Sequence, residues 1–194
     1  SEMPYASDGS ITYESVINRY NTDLVNNLGN LFKRTLDMVK KYNGGIVPMP
    51  SDSEPLDDEL KETCVKAFEA YSAYMDGYRI ADALEEVFTM LRRANKYIDE
   101  TTPWVLAKDE SKKARLDTVL YNLLEVIRWG AVMLLPAIPN SAEDILARLG
   151  TDARDFTTID NAEKFCGMAA GKPTGESKVL FARIDEEKML SELN

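Results

Sequence analysis

The stretch YESVINRYNTDLVNNLGNLFKRTLDMVKKYNGG, Tyr13 to Gly45, decides the fold. Val16, Ile17, Tyr20, Leu24, Leu28, Leu31, Phe32, Leu36 and Val39 recur every three or four positions from Ile11 to Tyr42, the spacing of one buried helical face. Thr12 is placed to cap the helix with Glu14 in its first turn, and Gly44-Gly45 ends it. The polar run Asn21-Thr22-Asp23 predicts a kink or a division into two segments.

The rest of the chain repeats that pattern. Residues 46–55 hold three prolines and read as a connector. A second helix is expected from Pro55 to about Asp76-Gly77, with the acidic run 52–62 as its solvated start. A third runs from Tyr78 through Leu84, Phe88 and Leu91 and stops before Pro103. A fourth takes in Leu116 to Val132, and Ser141 is expected to cap a short fifth that ends at Gly150. No two-residue alternation precedes residue 150, so the fold class is all-α: a bundle of four to five main helices. Two units are expected, a helical bundle over 1–150 and an irregular tail over 151–194 that packs back on the bundle or on a domain outside the chain. Residues 186–194 read as a weak helix.

Composition excludes several chemistries. The 194 residues contain 23 Lys+Arg, 33 Asp+Glu, two cysteines and no histidine, for a net charge of −10. Histidine-dependent triads, two-His zinc sites and di-metal bundles cannot be built from such a chain. Cys64 and Cys166 have no CxxC partner and read as free thiols. The longest apolar run, Trp129 to Pro139, is too short to cross a bilayer, which predicts a soluble cytoplasmic protein without membrane contact. The charge is uneven: residues 1–50 balance to zero, whereas 51–110 carry −8. The acidity therefore opposes sequence-blind phosphate gripping but leaves the first helix neutral.

Two apparent nucleotide motifs fail. Gly167 to Lys172 (GMAAGK) is one residue short of a phosphate loop and is followed by Pro173 where a magnesium-binding hydroxyl belongs. Lys188-Met189-Leu190-Ser191 matches only part of a synthetase KMSKS loop.

Two features are not explained by a bundle alone. Asn26, Asn27 and Asn30 interrupt a helix although each asparagine costs about 0.6 kcal/mol relative to alanine there. On helical spacing Asn27, Asn30 and Arg34 share one face, which reads either as a half-exposed polar stripe or as a recognition surface. Trp104 follows Pro103 at a helix end, placed either as a wedge between connector and bundle or as an exposed stacking platform. Trp129, among Ile127 and Val132, reads as core.

These residues carry a resemblance. DGSITYESVINRYNTDLVNNLGNLFKRT (Asp8 to Thr35) with ANKYIDETTPWVLAK (Ala94 to Lys108) resembles the C-terminal anticodon-binding domain of bacterial methionyl-tRNA synthetases, over most of residues 5–150. The joint pattern of Asp23-Leu24, Leu28-Gly29-Asn30-Leu31 and Arg34, then Asn95, Asp99 and Pro103-Trp104, is the specific part. Leu180 to Ile184 (LFARI) is similar to the LFPRI run that ends the family's domain, with Ala182 in place of proline.

The resemblance implies that Asn30, Arg34 and Trp104 recognise the anticodon CAU, with Asn95 and Asp99 at neighbouring positions and Asn27 on the same helical face. It implies methionine tRNA and the N-terminal catalytic domain of the same parent chain as partners. It also implies that the HIGH and KMSKS motifs lie outside this chain, which cannot activate methionine alone. ATP and magnesium would serve the parent enzyme, with zinc admissible there, and no cofactor is expected in this part. The physics is consistent, because single-stranded bases are read by stacking and by hydrogen bonds to their Watson-Crick edges. The anticodon domain of another class I synthetase (valine, isoleucine, leucine or cysteine type) and a helical protein-interaction scaffold are the alternatives.

Overall fold

The computed structural model describes residues 12–193. Ile11 and the Asp8–Ile11 part of the resemblance lie outside them. The first helical stretch comprises α1 (Tyr13–Arg19), a π-helical segment (Tyr20–Gly29) and α2 (Asn30–Asn43). The expected break at Asn21-Thr22-Asp23 takes the form of this wide-turned segment rather than a chain reversal. Thr12 caps α1, its hydroxyl accepting from Ser15 N–H at 3.1 Å, and Gly44 closes α2 in the left-handed conformation at φ 61°.

The remaining elements are α3 (Pro55–Asp76), α4 (Ile80–Thr101), the one-turn α5 (Pro103–Leu106), α6 (Lys113–Leu134), α7 (Pro139–Arg148) and α8 (Glu186–Leu193). Among the described residues the one β-bridge joins Ile46 to Pro173, and no sheet forms. Two expected boundaries move. Ser141 does not cap α7, which starts at Pro139: proline's missing N–H costs nothing at a first position. Tyr78 lies outside α4, held at φ 56° in the turn after α3.

α6 is the axis of the bundle. Nearly every residue from Arg115 to Leu134 is buried, because α2, α3, α4 and α7 pack around it. Gly130 permits the closest approach, since a Cβ there would meet Leu91 at 3.0 Å. Trp129 is fully buried between Phe68 and Phe165, with ring centroids 6.3 and 6.0 Å away.

The acidic run 52–62 is not wholly solvated, contrary to expectation. Asp57 is 5% exposed and accepts both Nη groups of Arg115, at 2.5 and 2.9 Å, and the hydroxyl of Tyr97. Burial alone would raise its pKa, but these donors outweigh burial and hold it below the ordinary carboxylate value.

Cross-links fix helix direction. Arg19 pairs with Glu85 at 3.1 Å, Asn27 reaches the Phe88 carbonyl at 3.1 Å, and Arg34 approaches Asp99 at 3.5 Å. The α1–α2 stretch therefore runs parallel to α4, and α6 runs antiparallel to α4, since Asn122 meets Tyr97 and Gly130 meets Leu91. Beyond Gly150 the chain straps across this frame. Val47 N–H donates to the Lys172 carbonyl and its own carbonyl accepts from Gly171 N–H, Gly175 N–H donates to the Arg148 carbonyl, Phe181 is buried edge-on to Tyr20 at 6.2 Å, and α8 lies on α1.

Candidate nucleic-acid interface

The asparagine-rich segment divides its side chains between the interior and solvent. Asn21 and Asn27 are both 7% exposed. Asn21 donates to the Ile184 carbonyl at 2.8 Å and accepts from Ile184 N–H at 3.0 Å, closing a two-point clasp on the tail. Asn27 donates to the Phe88 carbonyl and accepts from Asn95 Nδ2 at 2.9 Å, while Asn95 also donates to the Leu91 carbonyl at 3.2 Å. The Asn27–Asn95 pair thus holds the first helical stretch in register with α4. Asn95 Oδ1 is buried and finds no protein partner.

Gly29 allows the next turn to form. A Cβ there would stand 3.0 Å from the Leu24 carbonyl oxygen and 3.4 Å from the Phe181 ring. Immediately after it Asn30 is exposed, on a groove of about 430 Å³ shared with Asn26, Lys33 and Val179–Phe181 of the tail. The sequence showed Gly29 inside a motif but gave no sign that the tail would form the opposite wall.

One turn further on, Arg34 is half-exposed and meets Asp99 at 3.5 Å, where Asp99 is 69% exposed. A pair this long and wet contributes little and leaves most of the guanidinium's five donors available. Lys33 pairs with Asp37 at 2.6 Å. Burial acts to raise Asp37, but hydrogen bonds from Lys33 and Ser177 prevail and keep it below its ordinary value.

The end of α4 presents the aromatic group. Thr102 takes the left-handed conformation at φ 44°, unusual for a β-branched residue, and turns the chain so that Pro103 starts α5. Pro103 is buried and wedges the connector onto the bundle, whereas Trp104 is 41% exposed. The wedge and the platform are therefore two adjacent residues.

The structure brings Arg34 to Asp99 and Asn27 to Asn95, the latter pair as an internal brace, whereas Asn30 lies on the groove against the tail and Trp104 on α5 after the end of α4. Asn30, Arg34 and Trp104 expose an amide, a guanidinium and an indole to solvent. That set suits recognition of planar heterocycles with polar edges. Among the described residues no three His, Cys, Asp or Glu side chains gather as a metal site, and no helix is long and apolar enough to cross a membrane.

Comparison with known proteins gives a consistent result. The family model for the anticodon binding domain of methionyl tRNA ligase matches residues 47–192. The methionine–tRNA ligase of Clostridium perfringens is 47% identical over 192 residues, covering 99% of this chain and 29% of the relative. That of Clostridium tetani is 46% identical over 193 residues, covering 100% of this chain and 30% of the relative. The crystal structure of apo Mycobacterium tuberculosis methionyl-tRNA synthetase superposes with a TM-score of 0.84 at 36% identity, over 95% of this chain and 37% of that one. The chain thus spans about 30% of the length of these curated relatives. The family model starts after Asn30 and Arg34, but the alignments to the relatives cover nearly the whole chain.

Proposed function

Because the chain belongs to the family of methionyl-tRNA ligase anticodon-binding domains, we propose that it reads the CAU anticodon of methionine tRNA on behalf of a methionine–tRNA ligase. The parent enzyme would join methionine to the tRNA with ATP and magnesium. In this reading those groups, and any zinc, belong to the catalytic part of the ligase, which this chain does not include.

The observation that carries the proposal is the exposure of Asn30, Arg34 and Trp104 while their motif neighbours Asn27 and Asn95 are committed to internal bonds. A splayed anticodon base would stack on the indole. Cytosine presents O2 and N3 as acceptors, which suit the Arg34 fork or the Asn30 amide, whereas uracil carries a hydrogen at N3 that would face a donor. Asp99 would stand beside Arg34 as a neighbouring anion.

Binding of an anticodon stem-loop, with CAU and with a changed wobble base, tests this. Trp104→Ala should weaken binding by about 1–3 kcal/mol, the value of one base stacked on an aromatic ring. Arg34→Ala should reduce the preference for CAU over the variant. The net charge of −10 further predicts a shallow salt dependence. Unchanged affinity and selectivity in both variants would overturn the proposal.

A further inference from the structure

A stacking platform on Trp104 leaves the groove between the first helical stretch and the strap unexplained. One wall of its 430 Å³ comes from the Tyr20–Gly29 segment and α2, the other from Val179–Phe181, and no residue of α4 or α5 lines it. The walls are largely apolar: Val25 belongs to the helical side, and Val179, 64% exposed, to the strap. The polar groups are two amides. Among the described residues Asn30 makes no side-chain hydrogen bond to the protein, and Asn26 uses only its oxygen, which accepts from Arg183 Nη1 at 3.0 Å. Lys33 is the charged residue of the lining, and no carboxylate belongs to it, although the chain carries −10 overall. Both ends of the strap wall are tied to the helices. The Ser177 hydroxyl donates to Asp37 at 2.5 Å before it, and the Asn21–Ile184 clasp closes at 2.8 and 3.0 Å after it. A wall fixed in this way keeps its shape without a ligand, which lowers the ordering cost of binding.

We infer that this groove takes a second nucleotide of the anticodon loop, distinct from the base on Trp104, with the strap as one of its walls; the inference rests on the anticodon reading above. The chemistry matches a nucleobase, whose faces are apolar and whose edge carries donors and acceptors. Apolar walls would cover the faces, and each amide offers a donor and an acceptor to the edge. Lys33 stands where a phosphate of the same nucleotide would be neutralised. The volume lies in the range of about 300–1,000 Å³ typical of pockets that enclose a small ligand. Two nucleotides are required because α2 presents two faces. Arg34 turns to Asp99 of α4, whereas Lys33, about 100° away round the helix, lines the groove. Neither Arg34 nor Trp104 belongs to the lining, so a base stacked on the indole leaves the groove open.

An abasic scan of the anticodon stem-loop against the intact ligase provides the test. Each loop position in turn loses its base, and affinity is measured for the parent ligase, for Trp104→Ala and for Val179→Asp. Val179 is mostly exposed, so the aspartate changes the groove without touching the bundle core. In the parent ligase, base removal should cost about tenfold or more at two positions, the scale of one base packed on a protein surface. The loss at one position should vanish in Trp104→Ala, and the loss at the other in Val179→Asp, as pairwise coupling requires. An aspartate that merely repels the loop would lower every affinity alike and leave the abasic losses unaltered, which overturns the inference. So do a scan with one sensitive position and a single position that answers to both variants. Failure of the anticodon reading has a different signature: no anticodon base matters, and neither Trp104→Ala nor Arg34→Ala changes binding.

Discussion

At the scale of single residues, Asn27 and Asn30 look alike in sequence and differ in place. On helical spacing both belong to one face, and the sequence offers no way to separate them. The wide-turned Tyr20–Gly29 segment rotates Asn27 inward, where its amide closes bonds to Phe88 and Asn95, and leaves Asn30 outside. The two substitutions should therefore behave differently. Asn27→Ala removes the buried bond to the Phe88 carbonyl and the acceptor for the Asn95 amide and should destabilise the chain by about 1–3 kcal/mol. It should also weaken stem-loop binding, because Asn95 and the helix register move with it. Asn30→Ala should leave stability unchanged and lower only binding. Urea denaturation beside stem-loop titration distinguishes them, and equal stability losses would remove the brace role of Asn27. Trp104 was more legible: a tryptophan after a helix-ending proline has few ways to be wholly buried.

At the scale of elements, helix positions followed from apolar periodicity, but the bonds between helices did not. Asp57 lies within an acidic run that read as solvated, and nothing local to it announces Arg115 or Tyr97, which arrive from α6 and α4. The three side chains tie α3, α4 and α6 together inside the bundle. Removing one partner from such a pair is costlier than never having had it, because the remaining charge stays buried. Arg115→Met should lower stability by about 3–5 kcal/mol in urea denaturation at pH 7. The loss should shrink in acid: Asp57 has a depressed pKa, so its contribution is present above 3.8 and disappears as pH falls through its lower folded value. Asp57→Asn in the Arg115→Met background should recover part of the loss.

At the scale of the whole molecule, the change in character after Gly150 was plain from its glycines and its lack of periodicity, but its anchoring was not. The strap is held at a fully buried ion pair on α6, where Arg128 and Glu125 meet at 2.8 Å. Arg128 also donates to the Thr158 and Lys164 carbonyls, and Glu125 accepts from Met168 N–H at 2.5 Å, so both charges are committed to the strap. Periodicity could show only that Glu125 and Arg128 interrupt an apolar helix, because their partners lie thirty or more residues away in irregular chain. Burial pushes the Glu125 carboxyl up from 4.5 to about 7, with Arg128 opposing. A raised folded value means that the native chain binds more protons than the unfolded chain between pH 4.5 and about 7, so stability should fall as pH rises through that window. The slope approaches about 1.4 kcal/mol per pH unit for one proton. Glu125→Gln keeps the shape and removes the titration, so its stability should be flatter between pH 5 and 7.5 than that of the parent sequence. Urea midpoints at both pH values check this, and parallel curves for the two proteins would place the proton elsewhere. Loss of the pair should also free the strap first, because its backbone carbonyls and the Met168 N–H are the groups that Arg128 and Glu125 satisfy. Hydrogen exchange at residues 158–168 should therefore accelerate in Arg128→Met before exchange in α6 does.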